Sequence, residues 1–342
     1  MIDDLRKISQ LDSDDALGLA ERQTEQLRFA FDFQFEPSGE ILNVVVGGMG
    51  GSALAASMIV SWPGPKVPFI VNRQYSVPNF VNEKTLFVAS SYSGNTEEIL
   101  SALDDAQDKG AQIFVITAGG KLEEIASERD YPMAKIPGGL QPRMAVLYNY
   151  RALIELLERA GLETGLIDEL ESTTELLEQE SSKWRADVPT QDNQAKQIAE
   201  KVMGKTPIIY AGPSLSAAAY KWKIDFNENA KNLSFYNQWP EFNHNEFMGW
   251  TSHPIEKPFQ PIELLSDLEN ERVNKRFEIS NRLLSGRMPE AIQVHAEGSS
   301  KLEHLLWTIM LGDFVSLYTA ILNGINPTPV DLIEQLKEEL AN

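Results

Sequence analysis

Apolar residues fall along this chain in two patterns. Short, nearly continuous runs occur at Ile41-Leu-Asn-Val-Val-Val46, Val67–Val71, Thr85–Ala89 and Gln112–Thr117. Such runs predict strands buried on both faces, as in a parallel sheet. Elsewhere apolar residues are spaced among polar ones in the manner of helices. A small-residue helix is expected from Ala53 to Val60. A long helical tract is expected from about Met144 to about Trp184, interrupted near Gly161 to Gly165. Residues 1–33 also read as helical, with Leu5, Ile8, Leu11, Leu17, Leu27 and Phe29 set among acids and glutamines. A polar break, Glu36-Pro-Ser-Gly-Glu40, follows them.

The second half opens as the first does. Ile208-Ile-Tyr-Ala-Gly212-Pro-Ser-Leu-Ser216 aligns with Val44-Val-Val-Gly-Gly48-Met-Gly-Gly-Ser52. In each, a strand runs into a glycine, a serine follows four positions later, and alanines come next. The parallel predicts an internal duplication, against the plainer possibility that two strand–turn–helix units resemble each other by chance. Ala291–His295 predicts a further strand. Ser300-Lys-Leu-Glu303 has the form of a capping box, opening a helix that stops at Gly324, and a last helix is expected from Val330 to Leu340. The expected organisation is a helical segment at 1–33, one α/β lobe at 34–160 and a second at 161–342.

Composition narrows the partners. The 342 residues are 42% hydrophobic, ample for two compact lobes. Thirty basic and 50 acidic residues give a net charge of −20, which repels nucleic acid and anionic membrane, so neither is an expected partner. An anionic ligand must then be held by local donors against an adverse overall field. Cysteine is absent, which excludes disulfides, thiolate catalysis and zinc–thiolate sites. No His and carboxylate set has metal-ligand spacing, so no metal is expected. Met1-Ile-Asp-Asp-Leu5 lacks the form of a signal peptide, and no apolar run approaches the ~20 residues of a membrane span. A cytoplasmic protein is the expectation.

Two glycine- and serine-rich turns carry the candidate chemistry. Gly48-Met-Gly50-Gly51-Ser52 nearly fits a dinucleotide fingerprint. That fingerprint wants an acid at the end of the second strand, where this chain has Asn72-Arg73; a Walker A loop needs a lysine that the turn lacks. Glycine here instead lets the backbone approach a ligand, with the Ser52 hydroxyl beside it. Ser90-Ser91-Tyr92-Ser93-Gly94-Asn95-Thr96 then joins a strand to a helix that opens with Glu97-Glu98. Hydroxyls and free amides at a helix start form a neutral cradle for phosphate. Ser91, Ser93 and Thr96 are the expected donors. A serine-rich N-cap is the plainer reading, but a cap at Thr96 needs one hydroxyl and not four.

These two turns resemble the sugar isomerase (SIS) domain. Gly138-Gly-Leu-Gln-Pro-Arg143, Phe226-Asn-Glu-Asn-Ala-Lys231, Glu241-Phe-Asn-His-Asn-Glu246 and Asn326-Pro-Thr-Pro-Val330 extend the resemblance to the bifunctional phosphoglucose/phosphomannose isomerases, over about residues 40 to 340. The resemblance implies two SIS-type lobes, each a parallel sheet flanked by helices in a flavodoxin-like, three-layer αβα arrangement. It implies a homodimer with the active site near the subunit interface, a phosphosugar substrate, and catalysis through a cis-enediol without cofactor or metal.

Aldose–ketose isomerisation moves one proton between C1 and C2. It needs a base over those carbons, an acid/base to open the ring, and a cation for the enediolate oxygen. Glu228 is the base candidate, though by composition alone an ordinary helix glutamate. His244, in a polar, aromatic-flanked segment, suits ring opening; by analogy it reaches the partner subunit's site. His253, His295 and His304 have plainer roles. Arg143 is by resemblance the cation at the enediolate and by composition equally a surface ion-pair former. Lys337, the only lysine after Lys301, is the candidate near the ring oxygen, with a solvated helix face as its alternative. Thr328 is expected to shape the floor under both epimers. No hydroxyl loop follows Gly212-Pro-Ser-Leu-Ser216, so one cradle per chain is expected, in the first lobe. The competing functions are a non-catalytic phosphosugar sensor, which needs neither Glu228 nor His244, and an isomerase of another phosphosugar.

Overall fold

The structure is a computed structural model that describes residues 2–252 and 257–340. His253 lies outside the described residues. The chain forms two compact units: Arg22–Glu175, here lobe 1, and Met1–Glu21 together with Leu176–Asn342, here lobe 2. The sequence boundaries at 33/34 and 160/161 therefore fall elsewhere than the structural ones.

The N-terminal segment is not one helical unit. Helices α1 (Leu5–Leu11) and α2 (Ala16–Glu21) belong to lobe 2, and α3 (Thr24–Leu27) to lobe 1. Asp12 starts α2 by accepting from the backbone N–H of Ala16 at 2.8 Å and of Leu17 at 2.9 Å. Beyond Leu27 the helical reading fails. Phe31, Phe33 and Phe35 are buried and alternate with exposed Asp32 and Gln34, a period of two that belongs to extended chain. Phe33 and Phe35 both meet the Phe114 ring edge-on.

Lobe 1 continues with β1 (Asn43–Gly47), α4 (Gly50–Ser61), β2 (Phe69–Asn72), β3 (Thr85–Ser91), α5 (Glu97–Asp108), β4 (Gln112–Thr117), α6 (Gly120–Glu128), β5 (Met133–Lys135), α7 (Val146–Arg159) and α8 (Leu166–Ser172). The strands are parallel in the order β2-β1-β3-β4-β5. Val45, Phe87, Ala89 and Val115 line one face and pack on Ile99, Ala102 and Leu103 of α5 and Leu122 of α6. The opposite face carries α4 and α7, which pack together; Ser90 points there and donates to Asn149 of α7 at 3.1 Å. The order reverses between β1 and β3, so the turns leaving those strands diverge to opposite faces. The carboxyl edge at such a reversal is the usual ligand position in sheets of this kind.

From α9 (Thr174–Ser182) the chain enters lobe 2: α10 (Gln194–Val202), β6 (Thr206–Ala211), α11 (Ser216–Glu228), β7 (Phe235–Gln238), α12 (Glu246–Gly249), β8 (Phe259–Leu265), α13 (Glu271–Leu283), β9 (Ile292–His295), α14 (Lys301–Leu322) and α15 (Asp331–Leu340). Its parallel order, β7-β6-β8-β9, repeats β2-β1-β3-β4. The duplication expected from the Gly48/Gly212 alignment is thus present in the topology. β7 and β8 escaped the apolar pattern, because β8 carries Pro261 and, at its centre, the buried Glu263. The capping box at Ser300 and Glu303 is formed. Contrary to expectation, one stretch does reach membrane-spanning length and hydropathy: α14, 22 residues long. It is a core helix, packed against α10 and α11 with 94% of its apolar window buried.

Candidate active site

The residues expected to form the cradle lie where β1 and β3 of lobe 1 meet. Gly47 of β1 pairs with Ala89 of β3, so the Gly48–Ser52 turn and the Ser91–Thr96 loop leave adjacent strands at one edge. Gly50 opens α4 with φ +49°, and Ser52 is buried in the first turn of that helix. Gly51 is required sterically, since a Cβ there would lie 2.6 Å from the carbonyl oxygen of Pro142. That approach presses the loop carrying Arg143 onto the start of α4.

The hydroxyl loop is shaped by its own bonds. Ser91 Oγ accepts from the N–H of Gly94 at 3.1 Å and lies 2.7 Å from Thr96 Oγ1. Ser93 Oγ accepts from the N–H of Asn95 at 3.3 Å. Gly94 has φ +70°, and a Cβ on it would sit 1.7 Å from the carbonyl oxygen of Gly119. Only glycine lets the loop nest on the turn after β4. Thr96 is the N-cap of α5 by position, yet its side chain makes no cap bond. Its hydroxyl is paired with Ser91 instead, so the capping role expected of Thr96 is not the one it plays.

Tyr92 was not singled out in the sequence, and it joins the two parts. Its hydroxyl donates to Pro137 O at 3.0 Å and accepts from the N–H of Leu140 at 2.9 Å. Burial pushes its phenol pKa up, so it stays a neutral donor. The Pro137–Leu140 loop is thereby tied to the cradle, and Arg143 follows it in a 3₁₀ turn, Pro142–Met144. Arg143 is only 2% exposed, so it is not the surface ion-pair former that composition allowed. Lobe 1 therefore gathers Gly50, Gly51, Ser52, Ser91, Ser93, Thr96 and Arg143 at one sheet edge.

The other candidates belong to lobe 2. Glu228 ends α11 and is half-buried. The preceding Asn227 accepts from the N–H of Ser234 at 3.0 Å, whose hydroxyl donates to Pro207 O at 3.0 Å, at the beginning of β6. Glu228 is thus at the amino edge of the sheet. His244 is exposed on a 3₁₀ turn, Glu241–His244, that follows β7 at the carboxyl edge. Its neighbours are fixed: Asn243 donates to Ser280 Oγ at 3.0 Å and accepts from Arg276 at 3.1 Å, while Glu246 is held by Tyr210 and, at 2.7 Å, by Asn237. The 13 residues of α11 separate the two edges by about 20 Å. One copy of lobe 2 does not bring Glu228 and His244 together. Thr328 is half-buried, its N–H donating to Asn326 Oδ1 at 3.0 Å. Lys337 lies on α15, exposed along its whole length, and pairs with Glu334 at 2.8 Å. Among the described residues no three His, Asp or Glu side chains are grouped to hold a metal ion.

Residues 191–340 match the bacterial phospho-glucose isomerase C-terminal SIS domain. A bifunctional phosphoglucose/phosphomannose isomerase of Caldicellulosiruptor bescii is 39% identical over 306 residues, spanning 88% of this chain and 90% of that protein. The chain belongs to the bifunctional phosphoglucose/phosphomannose isomerase family. The D-glucosamine-6-phosphate 4-epimerase of Sulfolobus acidocaldarius is 36% identical over 228 residues, 64% of this chain and 67% of that protein. A glucose-6-phosphate isomerase like protein from Thermus thermophilus shares the fold, with a TM-score of 0.63 at 19% identity and 98% of each chain covered.

In this family member the two lobes differ where they correspond. The loop after β8, Ser266–Asn270, answers to the hydroxyl loop after β3. Ser266 Oγ accepts from the N–H of Leu268 at 3.1 Å, as Ser91 does from Gly94. Lobe 2 then places Glu269 over Gly212, whose Cβ would stand 2.4 Å from Oε2. That oxygen accepts from the N–H of Ser214 at 2.9 Å and its hydroxyl at 2.6 Å. A side-chain carboxylate thus lies over the turn after β6 in lobe 2, while the corresponding turn and loop of lobe 1 carry glycines and neutral hydroxyls. The sequence clue to Glu269 was the absence of a second hydroxyl loop. His304, given a plainer role by its sequence, is buried with Nδ1 2.8 Å from Ser266 Oγ.

Proposed function

We infer that this chain interconverts glucose 6-phosphate and mannose 6-phosphate with fructose 6-phosphate through a cis-enediol. The observation that carries the reading is the neutral cradle at the carboxyl edge of lobe 1 in a chain of this family. Ser52, Ser91, Ser93 and Thr96 hold the phosphate, and Gly50 and Gly51 let the backbone approach it. Donors of this kind hold a dianion without the net charge of the protein having to be favourable. Glu228 removes the C2 proton of the aldose and returns it to C1 of the enediol. The carbonyl oxygen at C1 gains a proton as the hydroxyl at C2 loses one. Arg143 faces the enediolate oxygen, Lys337 lies near the ring oxygen, His244 opens the ring, and Thr328 leaves room for either epimer at C2.

The separation of Glu228 and His244 within lobe 2 favours a homodimer in which His244 serves the partner subunit's site. The test is turnover of fructose 6-phosphate with glucose 6-phosphate and mannose 6-phosphate scored separately. Both should form. Binding of the sugar phosphate without turnover would favour a sensor. Inertness toward fructose 6-phosphate, with C4 epimerisation of glucosamine 6-phosphate, would place the chain with the Sulfolobus relative.

A further inference from the structure

Lys231 ends the Phe226–Lys231 motif just beyond α11. It is one of three non-glycine residues described with a left-handed backbone, at φ +51°. Such a conformation is disfavoured for a side chain with a Cβ and persists where the surroundings over-determine it. A glycine would take this position without strain, so the side chain is the reason to look for a role.

Its ammonium is surrounded by carbonyls from two segments. Nζ donates to Glu228 O at 2.8 Å and Asn229 O at 3.3 Å, at the C-terminus of α11. It also donates to Pro327 O at 2.9 Å and Asn326 O at 3.2 Å. The last carbonyls of a helix lack partners within it and carry partial negative charge, which an ammonium satisfies. The same charge clasps the loop that carries Thr328. Asn326 fixes that loop from its other side, donating to Ser13 Oγ and Asp14 Oδ2, both at 3.1 Å, and accepting from the N–H of Thr328. The end of α11 is itself anchored, since Asn229 donates to Ser316 Oγ of α14 at 2.9 Å.

We propose that Lys231 is a positioning residue that sets Glu228 against the Thr328 loop, and so sets the balance between the two epimers. The proposal rests on the reading of Glu228 as the base and Thr328 as the wall at C2. An ammonium suits the task, because its three N–H groups reach four carbonyls at once and no neutral side chain of that length can. The phosphate cradle lies in lobe 1, so loss of the clasp should leave KM nearly unchanged. It should lower kcat and change the ratio of mannose 6-phosphate to glucose 6-phosphate turnover.

The experiment is kinetics of Lys231→Met on both sugars, beside Glu228→Gln. Met keeps the Cβ and the stem, so backbone strain is common to variant and parent. A misplacement near 1 Å costs up to ~10²-fold, so kcat should fall about 10- to 100-fold, with an epimer ratio altered several-fold. General loss of stability lowers the folded fraction but leaves the ratio unmoved. An unchanged ratio in folded Lys231→Met, with Glu228→Gln inactive, overturns the proposal and leaves the base in place. An active Glu228→Gln overturns the base reading and the proposal with it. If Lys231→Met does not fold, Lys231→Arg carries the test. Its larger planar head fits the four carbonyls differently, and an unaltered ratio there is again fatal to the proposal.

Discussion

In the proposed cradle, Ser91 and Thr96 together have a single hydroxyl proton to offer a ligand. Their oxygens are 2.7 Å apart, so one of their two protons is used in the bond between them. Ser91 also accepts from Gly94, which consumes a lone pair and not a proton. Whichever hydroxyl donates to the other, one proton remains for a ligand. Removing either hydroxyl frees the survivor's proton to take that role. Removing both leaves none. A hydrogen bond to a charged group contributes about 1.5–3 kcal/mol, which is roughly 10- to 150-fold in affinity. Ser91→Ala and Thr96→Val should therefore each weaken binding of fructose 6-phosphate only a few-fold, and the double variant about 10- to 150-fold. The coupling in the double-mutant cycle should be of the same size, about 1.5–3 kcal/mol. Calorimetric titration of the four proteins measures it directly. Ser91→Ala should stay close to the parent in stability, because the buried Gly94 N–H keeps the Ser91 carbonyl oxygen as an acceptor at 3.1 Å. Additive losses, each single variant costing tenfold or more, would refute the reasoning: the two hydroxyls would then part on binding and donate independently.

Other expectations follow from the proposed chemistry and from burial. Glu228→Gln should lower kcat at least ~10²-fold for glucose and mannose phosphates alike, with a smaller change in KM; loss of one activity alone would require two bases. Thr328→Gln should impair mannose 6-phosphate turnover more than glucose 6-phosphate turnover, and equal impairment would remove Thr328 from the C2 wall. Turnover should survive EDTA; loss restored by zinc or magnesium would point to a metal-dependent reaction. Glu263 is fully buried, and burial raises its pKa above the usual 4.5 even though Asn281 and Gln293 donate to Oε2. A raised folded-state value means stability present in acid and lost as pH rises through that value, with a slope up to ~1.4 kcal/mol per pH unit. Urea unfolding from pH 5 to pH 8 should show Glu263→Gln gaining on the parent as pH rises, and a pH-independent difference would sink the assignment.

What the sequence disclosed followed from how uniform each signal was. β4, with an uninterrupted apolar run, was placed at its true ends, Gln112–Thr117. The cap of α14 was read correctly because Ser300 and Glu303 act on local backbone alone. β8 was hidden because a proline and a buried carboxylate interrupt it, and both are tolerated only through tertiary contacts. Phe29 to Phe33 was misread for a different reason: the period-two alternation of phenylalanines was there, but the preceding helical pattern was carried through it. At the site, the hydroxyls and glycines of lobe 1 were legible because their loops are contiguous. Tyr92, Glu269 and Lys231 were not. Each acts on a segment remote in sequence, and residue type alone gives no hint of which carbonyl or amide a long side chain will reach.

The carboxylate of Glu269 has a consequence for how the two halves respond to ligand. In lobe 2 the amide and hydroxyl of Ser214 are already satisfied by the chain itself. In lobe 1 the proposed function assigns the corresponding turn to a ligand from solution. A ligand that binds only the folded form adds RT ln(1 + [L]/Kd) to stability, about 2.7 kcal/mol at a hundredfold excess over Kd. That increment should fall unevenly. Amide exchange around Ser91–Glu97 should slow as fructose 6-phosphate is added, while exchange around Ser214 and Glu269 stays as it was. On this reading the second half supplies its own anion, and the first half draws its stabilising anion from solution.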